Sequence, residues 1–175
     1  MATSDKWTDY GKKVKATIKE LHKEPFILSG IQGEQASAQA TVVINGAKEE
    51  TDVKLIDVAV WMEFGTSDGR VPERSVIRAT YDIKREAWRQ VTDHLMKAVI
   101  AGKMDLKTAM NRIGLMQVSD YKSRIAEGVR PWNALSTIQA KSRNGVWGNM
   151  PLINSGQYLE SFTYVLKNAD SQIRH

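Results

Sequence analysis

Two long stretches of helical periodicity, separated by four residues, constrain this chain more than anything else in it. Ile83, Ala87, Val91, Leu95 and Ala98 recur at the spacing that lays one face of a helix on a core, with Trp88 on the flank. Gly102 ends that segment. Asp105 caps a second, whose apolar positions include Leu106, Ala109, Met110, Ile113, Met116 and Ile125. The Gly-Lys-Met-Asp link is short enough to make the two helices antiparallel neighbours. Gly114 within the second marks a close contact or a local break.

Shorter elements must cover that pair. Trp7, Tyr10, Val14, Ile18 and Leu21 predict an amphipathic helix over 5–23, capped by Ser4 or Asp5 and stopped by Pro25. This N-terminal helix (1–24) packs on its own domain or docks on a neighbouring subunit. ASAQATVVING (36–46) alternates and then turns β-branched, which reads as a strand ending at the turn signal Asn45–Gly46. The AKEET that follows is polar for a partner strand. In VKLIDVAVWMEF, Leu55, Val58, Ala59 and Met62 fit a short helix, with Thr51 or Asp52 available as its cap. Residues 128–151 read as a long loop with Pro and Gly at both ends, of the kind that serves a function or stays disordered. Trp132 and Trp147 argue against disorder and suit anchoring to a surface, the chain's own or a partner's. NSGQYLESFTYVLKN closes the chain as a capped helical turn and a short strand. The expected fold class is α+β: one domain over 1–175, with a small, mostly antiparallel sheet packed against two long helices, plus the N-terminal amphipathic helix.

Composition narrows the function. A chain of 175 residues has room for a real core, and 42% hydrophobic with 26% charged residues is ordinary for a globular domain. It contains no cysteine, which removes disulfides, thiol nucleophiles and thiolate metal sites together and suits a reducing cytoplasm. No run of about 18 apolar residues is present to span a bilayer, and MATSDKWTDYGKKVK lacks the apolar region of a secretory leader. The net charge of +5 is spread along the chain; its densest run, KKVKATIKELHK (12–23), reads as the solvated face of a helix.

Groups that carry catalysis are sparse. His22, His94 and His175 stand apart from one another and from carboxylates at ligand spacing, which points to surface or interface positions. A nucleophile elbow and a phosphate-binding GxxxxGK[ST] are absent. Glu63 is the one acid flanked by apolar residues. Desolvation can raise its pKa, or it can pair with an arginine or cap backbone amides. The stretch WMEFGTSDGRVPERSVIR (61–78) sets Glu63 beside Arg70, Arg74 and Arg78. If Pro72 opens a helix as its first residue, Arg74 and Arg78 share a face, suited to a phosphate or to ion pairs across an interface. Phe64 is expected in the core and Gly65 at the bend. Neither an enzyme nor a cofactor is expected.

The block EFGTSDGRVPERSVIRATYD (63–82) resembles a signature of tailed-bacteriophage neck and tail-completion proteins: an acidic-aromatic corner, a short loop, and a proline-arginine segment entering a helix. PWNALSTIQAKS (131–142) and PLINSGQYLESFTYVL (151–166) are similar to the same family's tryptophan loop and PL-[IV]-[DN]-[ST]-G element. The resemblance covers roughly residues 40–167. Val76 stands where the family often has an aromatic, and Asn154–Ser155–Gly156 where Asp-Thr-Gly is common. The resemblance implies a virion protein at the head–tail junction, assembled in the host cytoplasm. It would form a homo-oligomeric ring between the capsid-side adaptor and the tail tube or terminator proteins, with DNA passing through the lumen and no membrane involved. A tail terminator and a non-specific DNA-binding module are the alternatives. The candidate subunit or partner contacts are Glu63, Phe64, Arg70, Arg74, Arg78, Trp132 and Trp147.

Overall fold

The computed structural model describes residues 8–146 and 148–169; Ser4, Asp5, Trp7, Trp147 and His175 lie outside them. Among the described residues the order is α1 (Asp9–Leu21), β1 (Pro25–Ile31), α2 (Glu34–Ser37), β2 (Gln39–Ile44), β3 (Ala47–Lys54), α3 (Leu55–Phe64), α4 (Ile77–Ile100), α5 (Leu106–Glu127), α6 (Leu135–Arg143), α7 (Gln157–Glu160) and β4 (Phe162–Asn168). This is an α+β fold. Its strands form two separate pairs, β1 with β4 and β2 with β3.

Contacts gather in two compact units, neither of them contiguous in sequence. The first combines residues up to Leu28, Glu86–Met116 and Val165 onward; the second holds Ser29–Arg85 and Gln117–Tyr164. The core of the first is the α4–α5 contact, where Leu95 and Val99 pack with Leu106, Ala109, Met110 and Ile113, and Ile27 and Leu166 cover them. Asp105 caps α5 as its position predicts: its carboxylate accepts from the Thr108 amide at 2.8 Å and the Thr108 hydroxyl at 2.7 Å. Helix α1 is capped by Thr8, whose hydroxyl accepts from Gly11 N, and none of its residues is buried. Tyr10 nonetheless donates to the Ile100 carbonyl at 3.0 Å. Pro25 opens β1 after the helix has ended.

In the second unit, Leu55, Ile125 and Val76 are fully buried, and Phe162 packs edge-on to Tyr158 and tilted against Tyr121. Here the polar AKEET segment does pair: β3 runs antiparallel to β2 across the two-residue turn Asn45–Gly46, both in left-handed conformation (φ 50° and 82°). Turn chemistry outweighs composition because β3 is solvated along most of its length and needs no apolar alternation. Thr51 and Asp52 therefore belong to the strand, and α3 starts at Leu55, whose amide donates to the Ala38 carbonyl. Residues 128–151 are not one loop, since α6 lies within them. Gly114 sits in an unbroken helix.

The stripe read for the first long helix holds at Leu95, which is buried, but is out of phase over its first half. Ile83, Ala87 and Val91 are exposed, while Trp88 (6% exposed), Thr80, Leu95 and Val99 face inward. An indole has more apolar area to lose from water than any of the aliphatic residues beside it, so the helix turns to bury Trp88. For the isolated chain, Ile125→Ala should cost about 2–5 kcal/mol of unfolding free energy. Ile83→Ala should stay within about 0.5 kcal/mol. Urea unfolding curves measure both, and a large loss at Ile83 would reverse the assigned helix phase.

Candidate functional site

The corner between α3 and α4 is where the sequence concentrates its unusual residues. Helix α3 ends at Gly65, which has φ 73° and donates its amide to the Trp61 carbonyl. A Cβ there would lie 3.0 Å from Glu73 N and 3.1 Å from the Val71 carbonyl oxygen, so both conformation and space demand glycine. The next residues close on themselves: Thr66 N donates to Val71 O, Thr66 Oγ1 donates to Asp68 at 2.6 Å, and Arg70 pairs with Asp68 at 3.3 Å. Arg74 N then donates to the Met62 carbonyl at 2.7 Å, bringing the chain back alongside α3.

That return delivers the first amides of α4 to Glu63. The carboxylate, on a residue 6% exposed, accepts from Val76 N (2.8 Å), Ile77 N (3.0 Å), Arg78 N (2.9 Å) and Ser75 Oγ (2.7 Å). Arg78 Nε adds a bond at 3.2 Å, and its Nη2 reaches the Glu63 carbonyl oxygen and Glu73. A helix start leaves unpaired amides and a positive dipole end, so a carboxylate there is held by both. Burial pushes the pKa of Glu63 up, but the amide of Arg78, the Ser75 hydroxyl and the amides of Ile77 and Val76 outweigh it, and the net shift is downward. Of the two readings open for Glu63, a desolvated basic carboxylate or an acid that pairs and caps, the structure has the second. Glu63 caps amides and pairs with an arginine, and its saturated oxygens make it a poor proton acceptor.

The three arginines have different fates. Arg74 is 8% exposed, and its Nε donates to the Pro131 carbonyl at 2.8 Å. Arg78 is half-buried and spans Glu63 and Glu73, with its guanidinium 4.4 Å from the centre of the Phe64 ring. Arg70 is exposed. Pro72 does not open the helix: α4 begins at Ile77, and Ser75 marks its start by accepting from Ala79 N. Arg74 and Arg78 therefore share no helix face. Phe64 is 59% exposed, not in the core, and with Val60 and Trp61 it forms one exposed apolar face of α3. Glu63 and Arg74 make their contacts inside the chain, whereas Phe64, Arg70 and Trp132 are open to a partner. The Trp132 ring lies over Gly128 (φ 91°), where a Cβ would come within 2.6 Å of it.

Sequence reading missed Ser75, legible as a cap before an apolar run, and Arg124, whose Nε donates to the Ser75 carbonyl at 3.1 Å. It also missed a second joint. Gln157 Oε1 accepts from Thr41 N (2.7 Å), Asn154 Oδ1 accepts from Val43 N (3.3 Å), and Gln157 Nε2 donates to Gln39 O (2.8 Å). Side chains of the PLINSGQYLES block thus occupy the edge of β2. Among the described residues, no group of three or more His, Asp or Glu is placed to hold a metal ion. No helix there is long and apolar enough to cross a membrane. Comparison with models of protein families, with curated proteins and with solved structures finds no match to this chain.

Glu63→Ala should destabilise the chain by about 2–4 kcal/mol, because it strips a buried acceptor from three amides and a hydroxyl. Most of that comes from the amides, since the half-exposed Arg78 pair is screened. A lowered folded pKa means the contribution is complete above the unfolded value near 4.3 and fades as pH falls through the folded one. The stability gap between wild type and Glu63→Gln should therefore shrink below about pH 4. A gap independent of pH in acid denaturation would contradict the assignment.

Proposed function

We propose that this chain is a structural subunit of the bacteriophage neck. As a head–tail connector or tail-completion protein, it forms a homo-oligomeric ring that joins the capsid-side adaptor to the tail and lets DNA pass. One observation carries the reading: the two blocks that resemble that family's are the two joints of the second unit, and the first presents an exposed apolar face. Glu63 locks the corner, and α3 leaves Val60, Trp61 and Phe64 uncovered beside it. Large apolar rings held on a rigid element suit the centre of a protein contact. A contact between unlike faces of identical subunits closes into a ring when its rotation permits.

Helix α1 supports the same reading. Its lysines face solvent and its apolar residues Tyr10, Ile18 and Leu21 are half exposed, so it offers both a docking face and positive charge. Phosphates in a lumen need no more than such charge, and contact of that kind weakens steeply with salt.

Native mass spectrometry of the purified protein, alone and with neighbouring neck proteins, should show a closed multimer. Phe64→Asp and Trp61→Asp should each weaken assembly at least about tenfold while leaving the thermal midpoint of the monomer nearly unchanged. A chain that stays monomeric with every neck component, and is missing from assembled particles by cryo-EM, would overturn the proposal.

A further inference from the structure

Beside the second joint lies a cavity of about 270 Å³. Leu55, Val58 and Met62 of α3 and Tyr158 of α7 give it an apolar wall, and among the described residues Lys141 of α6 is the one charged residue that lines it. Lys141 is 9% exposed, a rare degree of burial for an ammonium. Its Nζ donates to the carbonyls of Met150 (3.0 Å) and Ile153 (2.5 Å). An ammonium has three N–H bonds. The third has no acceptor among the described residues, and no carboxylate there pairs with it.

Two carbonyl dipoles hold the amine in place without cancelling its charge. Burial pulls the pKa of Lys141 down, the direction expected of a cation taken from water without a counter-ion. An entering anion would supply the missing charge and accept the remaining N–H at once. The volume is at the small end for ligand sites and suits a compact body, not a nucleotide. Thr137, one turn earlier on α6, adds a hydroxyl to the same lining.

We propose that this cavity binds a small organic carboxylate with a compact apolar body. The carboxylate meets Lys141 Nζ, and the body lies against Leu55, Val58 and Met62. The ligand is either a free acid or the C-terminal residue of a polypeptide, which present the same chemistry. This inference does not depend on the assembly role. The competing account makes Lys141 only a clamp between α6 and the 150–153 segment.

Amide proton–nitrogen NMR spectra of the full chain, titrated with isovalerate, isovaleramide and a short peptide ending in leucine with a free or amidated terminus, separate the two. Isovalerate should shift the signals of Thr137, Lys141, Ser155 and Gln157, and isovaleramide should bind at least about tenfold more weakly. Lys141→Met should abolish the response. Because that change also removes the clamp, Val58→Phe provides a second test: it fills the space for the body and leaves both carbonyl bonds in place, and it should abolish binding too. Tighter binding of the free-terminus peptide than of isovalerate assigns the ligand to a polypeptide, and the reverse order assigns it to a free acid. No response to isovalerate at millimolar concentration, equal response to acid and carboxamide, or full binding by Val58→Phe overturns the proposal.

Discussion

The second unit depends on one carboxylate placed at the start of a helix. Glu63 comes from the last turn of α3, yet its oxygens satisfy the first amides of α4. Buried amides without acceptors and a buried carboxylate without donors would each cost more than a typical hydrogen bond returns. Joined, they remove both costs and fix the direction in which α4 leaves the corner. Gly65 makes the approach possible, Ser75 and Arg78 add side-chain bonds to the carboxylate, and Arg124 holds the Ser75 carbonyl. Of the charged cluster that the sequence presents, Glu63 and Arg74 are therefore turned inward, while Arg70 and the apolar residues of α3 beside it are exposed.

Both joints use the same device: a side chain stands in for backbone. At the first, a carboxylate takes the place of the missing preceding turn of helix. At the second, the carboxamides of Asn154 and Gln157 take the place of a neighbouring strand. Short elements are thereby held without a wide sheet, which matters where the strands among the described residues come in pairs, since isolated pairs are marginal in water.

Much of the fold was legible where a local rule has no competitor. Asp105 before Leu106, Asn45–Gly46 at the end of β2, and Gly65 at a bend each specify their geometry through their own backbone or side chain, whereas the pairing of the polar AKEET run was not legible. Legibility failed where neighbours decide. The phase of α4 turns on whether Trp88 or the row from Ile83 to Val91 gains more from burial, and only the packed structure settles that. Phe64 reads as core by hydrophobicity but is displaced outward because Glu63 takes the inward direction. Pro72 competes with Ser75 as a helix start, and the amides that Glu63 requires favour the latter. Lys141 gave no signal, since its environment is made by residues distant in the chain from it, Leu55 and Val58 among them.

The carboxamides along β2 have a consequence for life at high concentration. A strand with open amides and carbonyls on its outer side is a template on which any extended segment can add itself, including the same segment of a sibling chain. With Gln157 and Asn154 seated on those groups, that route is shut before siblings meet. Copies of this polypeptide crowded together cannot then add to one another along that rim through main chain, which every protein shares.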